Sequence, residues 1–445
     1  MFKKDFVWGV ATAAAQIEGG YAQGGRGLSV WDVFPKAENA TFKGQNCSVA
    51  NDHYNRYKSD VALMKELGVN AYRFSISWSR IIPNGVGEVN QEGIDFYNNL
   101  INELISNGIT PYVTLYHWDM PYEIYIRGGW LNPDFSNYFA SYTKVVADNF
   151  ADRVKHFITI NEPSCVIGGL GGVVPNARYT VKESLTMVHN LLLSHGKAVS
   201  VLRNYPGVKI GYAPCCVVPI PNTDKKEDIE AARKCFFQVE KNHVWGNSIW
   251  SDPVIFGDYP KEYYTIHTKD ELPDIKEGDM QIISQPIDFY CQNIYSGNLI
   301  ESDGNGGFRK VTEPDGQPMT CMDWFVFEKA LYWGPKFLYE RYKLPFYISE
   351  NGVAVTDLVT PDKKVHDGAR IEFIRRYLEQ LKKAAADGVD VRGYFYWSFM
   401  DNFEWWCAYS KRFGLLYVDY QTQERIKKDS YYYYQSIIKE NGKNI

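Results

Sequence analysis

Two glutamates stand where a strand has little use for a charge. FITINEP (157–163) runs as an apolar strand into Asn161, Glu162 and Pro163, and PFYISENG (345–352) runs likewise into Glu350, Asn351 and Gly352. An unpaired carboxylate taken out of water costs roughly several kcal/mol even after relaxation, so each placement asks for a use. One carboxylate from each of two strands suits glycoside hydrolysis. There, one group protonates the leaving oxygen while the other attacks the anomeric carbon or activates a water.

Further polar and aromatic residues close other apolar runs: Gln16 in AQIEGG, Arg73 in YRFSIS, His117 in YHWD, Asn293 and Tyr295 in QNIYSG, Trp397 in YWSF, and Glu404 with Trp405 in DNFEWW. Taken singly, His117 reads as a structural histidine, Trp397 as core, and Arg73 as the balance to a buried carboxylate. Together they would ring one pocket with hydrogen-bonding groups and aromatic plates, as a polyhydroxylated ring requires. The neighbours divide the labour. Glu162, near an apolar wall, is expected to stay protonated as an acid must, with Asn161 holding a sugar hydroxyl; Arg73 and Tyr295 are expected to keep Glu350 ionised as a nucleophile must be.

Those residues need a scaffold, and the chain supplies a regular one. Strand-like runs fall at 6–13, 70–77, 111–117, 154–160, 208–214, 286–293, 345–349 and 391–398. Between them, Tyr57, Val61, Met64 and Leu67, then Phe135, Phe139, Tyr142 and Val146, then Ile371, Ile374, Leu378 and Leu381 recur at helical spacing. Glycines in KELGVN and AADGVD suit helix stops before the next strand. Eight strands alternating with helices favour a (β/α)8 TIM barrel, whose active site lies at the C-terminal ends of the strands; both glutamates fall at such ends. GGLGG (168–172) has the wrong spacing for a nucleotide-binding fingerprint and reads as a loop beside the site. With no linker composition or repeat, residues 1–445 read as one catalytic barrel domain.

A formal net charge of −5, with Lys+Arg 48 against Asp+Glu 53 spread evenly, offers no basic stripe. Nucleic acid and acidic membranes are therefore not expected partners. No window approaches a membrane span. MFKKDFVWGV lacks a signal-peptide core and cleavage site, and the eight cysteines contain no Cys-x-x-Cys pair, so they read as reduced, mostly buried thiols of a cytoplasmic chain. The eight histidines do not join them at ligand spacing, so neither a metal nor a cofactor is expected. Aromatic residues reach 16%, which makes a carbohydrate partner worth testing because aromatic rings stack on sugar C–H faces.

Several long segments, TINEP, ISENG, AQIEGG, YRFSISWSRI, HWDMP, YWSFMDNFEW and YSKRFGLLYVDY, resemble in order the signature segments of glycoside hydrolase family 1, the β-glucosidase family, over about Phe6 to Tyr434. The resemblance implies a (β/α)8 barrel and a small-molecule β-glycoside substrate cleaved with retention of configuration. It implies Glu162 as acid/base and Glu350 as nucleophile. It also implies Gln16, His117, Asn161, Asn293, Trp397, Glu404 and Trp405 as contacts to the non-reducing sugar, with Tyr295 and Arg73 near the nucleophile.

The chain departs from the family pattern at Ala15 (commonly aromatic), Ser164 (usually Trp), GGVVPN (171–176), WWCAY (405–409) and Cys291, Gln292 and Ile294. Ala15, Ser164, Val173 and Val174 are expected to reshape the mouth beyond the sugar and make it more apolar, with Trp324, Trp406 and residues 168–176 as walls. A 6-phospho-β-glucosidase of the same family is the nearest alternative, opposed by a charged Glu404 and by Phe413 where that group has Tyr, with Lys411 alone as a candidate phosphate contact. A non-catalytic sugar-binding barrel is another, opposed by the presence of both glutamates. A transglycosidase would share every residue named.

Overall fold

The computed structural model describes residues 2–36, 40–169, 179–241 and 243–445. Its strands are β1 (Val7–Ala11), β2 (Ala71–Ser75), β3 (Thr110–Tyr116), β4 (His156–Asn161), β5 (Lys209–Ala213), β6 (Cys215–Pro221), β7 (Phe289–Ser302), β8 (Phe308–Lys310), β9 (Phe346–Asn351) and β10 (Val391–Trp397). All but β6 and β8 pair in parallel around a closed ring, from β1 through β2, β3, β4, β5, β7, β9 and β10 back to β1. Each expected strand is present within a few residues. Helices return the chain between them, among them His53–Leu67, Gln91–Ser106, Phe135–Phe150, Val181–Leu202, Ala330–Tyr342 and Gly368–Ala386.

The helical stripes largely bury: Val61, Met64, Leu67, Phe135, Phe139, Tyr142, Val146, Ile374, Leu378 and Leu381 are buried, while Tyr57 and Ile371, at the start of their stripes, are half-buried. Gly68 ends its helix at φ 86°, donating to the carbonyls of Met64 and Lys65, a left-handed cap that a side chain would oppose. Inside the barrel, aromatic rings fill the space that glycines leave. A Cβ on Gly9 would stand 2.3 Å from the Phe395 ring, and one on Gly211 2.0 Å from that of Phe289.

Strand β7 is longer than the sequence implies. Its inner half belongs to the barrel, while its outer half pairs with β6 (Val218 opposite Gly297, Ile220 opposite Leu299) and, antiparallel, with β8. These partners satisfy backbone groups that would otherwise stand bare above the barrel rim. They raise a wall over the side where β4 and β7 end.

After β10 the chain passes Glu404 and Trp405, forms a hairpin of β11 (Leu416–Val418) and β12 (Arg425–Lys427), and closes with the helix Asp429–Lys439. A buried charge network fastens this return. Lys428 Nζ donates to Asp357 Oδ2 at 2.6 Å and Asp401 Oδ1 at 2.7 Å; Arg370 holds Asp357 and Asp367, and Arg412 holds Asp401. Replacing Lys428 by Ala removes one cation from two buried carboxylates. Because Arg370 and Arg412 remain, the loss should sit at the lower end for a broken buried pair, about 3 kcal/mol, and appear as a lower denaturation midpoint. An unchanged midpoint would show that the two arginines suffice.

Candidate active site

Arg73, buried on β2, lies at the centre of the site. Its guanidinium donates from Nη1 to Glu350 Oε1 at 2.5 Å and to the Ser349 carbonyl at 3.1 Å, from Nη2 to Asn161 Oδ1 at 2.5 Å, and from Nε to Thr114 Oγ1 at 3.2 Å. One side chain thus ties β2, β3, β4 and β9. Tyr295, on β7, donates its hydroxyl to the other Glu350 oxygen at 2.7 Å. Both groups expected beside Glu350 are in contact with it.

Glu162 follows β4 directly, with its backbone in the left-handed region at φ 46°. Its amide donates to the Ala213 carbonyl at the end of β5. Its carboxylate accepts from Asn293 Nδ2 at 2.8 Å, and the same amide group donates to Asn161 Oδ1 at 3.0 Å, while Ser349 Oγ donates to Asn293 Oδ1 at 2.6 Å. Trp118, Asp323 and Trp405 also have positive φ (77°, 58° and 46°), so four of the described non-glycine residues around this cavity hold a backbone that costs about 1–3 kcal/mol each.

Asn161 fixes the histidine. Its oxygen already accepts from Arg73 and Asn293, so its Nδ2 donates to His117 Nε2 at 3.0 Å. That assignment leaves the proton on His117 Nδ1, which is buried with no partner among the described residues. Burial, and after it the charge of Arg73, holds His117 well below its usual pKa. The ring is therefore a neutral donor awaiting an acceptor. Gln16 is placed in the same way: its Nε2 donates to the Phe403 carbonyl at 2.8 Å, and reaches Glu404 at 3.5 Å, while its Oε1 is buried with no partner among the described residues. Trp397 and Trp405 flank His117 with nearly parallel rings, at 5.7 and 6.0 Å between centroids.

Glu162, Glu350, His117, Tyr295, Trp397, Glu404 and Trp405 all line one cavity of about 880 Å³. Arg73, Asn161, Asn293 and Gln16 stand immediately behind them, through the bonds just given. The fold therefore brings every one of these sequence-nominated residues into one place.

Three carboxyls share that place, and burial sets their protonation. Glu162 is pushed up to about 7, first by desolvation and then by the charge of Glu350. Desolvation also raises Glu350, but Arg73 and Tyr295 pull it back. With a cation in contact with Glu350 and none in contact with Glu162 among the described residues, Glu350 gives up its proton before Glu162 does. The expectation for Glu404 needs correcting. Desolvation, then Glu350 and Glu162, push it up to about 8, so at neutral pH it is chiefly a neutral acid, and its charge does not repel a phosphate as the sequence reading supposed. The Lys411 ammonium donates to the Cys321 carbonyl.

The family model described as glycosyl hydrolase family 1 matches residues 1–443. The chain belongs to that family. It is 43% identical over 445 residues to the β-glucosidase A of Thermotoga maritima, covering 99% of this chain and 98% of the relative. It is equally identical to the 1,4-β-D-glucan glucohydrolase of Thermotoga neapolitana, covering 99% of each. The structure of the Thermotoga maritima β-glucosidase in complex with glucoimidazole superposes with a TM-score of 0.90, at 43% identity and 99% coverage of both chains.

Within the family 1 barrel, the outer cavity differs from the sequence reading. Trp324 and Trp406 line it as expected, but Ala15 and Ser164 do not. Ala15 is buried in a separate small cleft beside Glu18 and Arg26. Ser164 is buried too, with Oγ 3.2 Å from Cys215 Sγ. Val173, Val174 and the segment 171–176 lie outside the described residues. The wall is instead built by residues the sequence reading passed over: Cys165, then Cys215, Cys216 and Val217 from β6, with Trp245 and Phe325. All eight cysteines are free, but only Cys47 and Cys291 are fully buried. Cys165, Cys215 and Glu162 are separated in sequence yet present ligand atoms within 4.8 Å of one another, a proximity that spacing along the chain could not show.

Replacing Glu350 by Gln removes the second cause of the raised Glu162 pKa and leaves the first. Glu162 should then titrate below about 7 yet above an ordinary carboxyl, read by carbon NMR of labelled glutamate. No downward movement would show that the two carboxyls do not interact.

Proposed function

We propose that this protein is a retaining β-glucosidase that removes terminal β-D-glucosyl residues by double displacement, with Glu350 as nucleophile and Glu162 as acid/base. The observation that carries the proposal is the unequal pairing of two carboxyls in one cavity: Glu350 against Arg73 and Tyr295, Glu162 against Asn293 with no cation in contact among the described residues. The names of the relatives support glucose as the sugar.

In this reading the sugar sits over Trp397 and Trp405, with the neutral His117 Nδ1–H, the Gln16 oxygen and the Glu404 carboxyl meeting its hydroxyls. Glu350 attacks the anomeric carbon while Glu162 delivers its proton to the departing oxygen. The arrival of a glucosyl group neutralises Glu350 and removes the charge that raised Glu162. Glu162 therefore becomes a stronger acid once its proton has gone, and its carboxylate then takes a proton from water in the second step. Activity should rise with pH as Glu350 ionises and fall as free Glu162 ionises through about 7.

Glu350→Ala should abolish turnover while azide restores it, with azide attacking from the vacated face to give an α-configured product; a β-configured product would remove Glu350 from the nucleophile role. Glu162→Ala should slow substrates with poor leaving groups by about 100-fold or more while largely sparing activated aryl glucosides, and should erase the basic limb. Equal losses on both substrates would show that Glu162 is not the acid.

Beyond the sugar, Trp245, Trp324, Phe325, Trp406 and the β6 wall present mostly apolar surface. Each Å² of apolar surface buried contributes roughly 25 cal/mol, which favours an aryl or alkyl leaving group over a second sugar. The kcat/KM for a phenolic β-glucoside should exceed that for cellobiose, and a clear preference for cellobiose would reverse this reading of the wall. Including a 6-phospho-β-glucoside in the comparison tests the related activity, and its preference over the plain glucoside would replace the proposed substrate.

A further inference from the structure

Two thiols lie against the proposed acid, and the fold holds all three groups from different directions. Cys165 follows Glu162 by one turn, its amide donating to the Glu162 carbonyl at 3.0 Å. Cys215 opens β6 just beyond the end of β5, opposite Asn293 in register. Asn293 is also the residue that donates to Glu162, and its backbone amide donates to the Pro214 carbonyl at 2.9 Å. Backbone bonds on both sides of Cys215 thus fix it relative to Glu162.

The Sγ atoms of Cys165 and Cys215 are 3.5 Å apart, and a Glu162 oxygen completes a set within 4.8 Å. Two sulfurs on a tetrahedral Zn²⁺, each at about 2.3 Å, stand about 3.8 Å apart, so the pair needs to part by only a few tenths of an ångström. All three residues line the cavity. A cation held by them keeps a fourth position open toward it, the arrangement of an accessible three-ligand site.

We propose that Glu162, Cys165 and Cys215 form a binding site for a thiophilic cation such as Cd²⁺ or Zn²⁺, and that its occupation reversibly switches the enzyme off. The switch part of this inference rests on the role proposed above for Glu162. A carboxylate bound to a cation has no proton to deliver to the leaving oxygen, and the cation fills space beside it. The cation exchanges for the two thiol protons and for the carboxyl proton that the active form of Glu162 carries; all pass to solvent, and no oxidant or reductant is involved.

The surroundings select the kind of cation. Two sulfurs against one carboxylate oxygen make a soft donor set, which favours a cation with strong affinity for sulfur. Mg²⁺ and Ca²⁺, which take oxygen ligands, gain nothing from such a pair.

The test titrates Cd²⁺ into the purified full chain under reducing conditions that do not chelate metal, following ultraviolet thiolate-to-metal absorption and aryl β-glucosidase activity in parallel. Both should change together and saturate, a chelator should reverse both, and Mg²⁺ should do neither. Cys215→Ser and, separately, Cys165→Ser should weaken inhibition by about tenfold or more, since losing a ligand costs at least what losing a ligand's supporting partner does. Cys407→Ser, which alters another cavity-lining thiol, should leave it unchanged. Absence of thiolate absorption in the wild-type protein overturns the site, and needs no variant to fold. Inhibition that persists undiminished in both Ser variants overturns it as well. If the absorption appears but the untreated protein hydrolyses no β-glucoside, the site stands and the proposed function falls.

Discussion

A guanidinium with no access to water must be paired where it lies, and the centre of this barrel is arranged around that requirement. Arg73 reaches three other strands from its own, and each bond it makes has a consequence further on. Its bond to Glu350 pays for the charge buried there. Its bond to Asn161 turns that amide so that Nδ2 faces His117, which sets the histidine tautomer and leaves a donor free at Nδ1. Through Asn161 and Asn293, the same chain of bonds extends to Glu162. Removing Arg73 would therefore unbalance a charge and release the orientation of three other side chains.

The second constraint is the crowding of acidic groups without matching cations. Desolvation raises all three carboxyls, Glu350 further raises Glu162, and both of these further raise Glu404. Arg73 breaks the symmetry by touching only one of them. Two like residues thereby receive unlike environments, the general route by which one pocket can hold both an acid and a nucleophile near neutral pH. The proposed mechanism uses the same coupling again, since neutralising Glu350 by glucosylation changes the acidity of Glu162.

Much of this was legible in the chain itself. The eight barrel strands show as apolar runs because a parallel strand buried on both faces has no polar side, and the site residues show because polar groups ending such runs have few structural uses. The outer wall was not legible. β6 carries Pro219 and Pro221, and CCVVPIP reads poorly as a strand; it survives as one because it lies at the end of the sheet path, where missing donors are tolerated. Ser164 was misplaced because closeness to Glu162 in sequence says nothing about direction: on the turn after β4 it faces Cys215, while Cys165 faces the cavity. The neutral Glu404 was missed for a related reason. Its pKa depends on carboxyls that the fold brings beside it from β4 and β9.

The central claim is that Glu350, ionised beside Arg73, forms the covalent bond to the sugar while Glu162 serves it as acid and base. It is tested most directly by trapping the intermediate with a 2-deoxy-2-fluoro-β-glucoside bearing a good leaving group, then locating the added mass in a peptide digest. The account predicts stoichiometric labelling of Glu350, slow recovery of activity as the label hydrolyses, and faster recovery when an acceptor alcohol is supplied. Labelling of Glu162, or continued turnover of the fluorosugar with no label on any carboxylate, would contradict it.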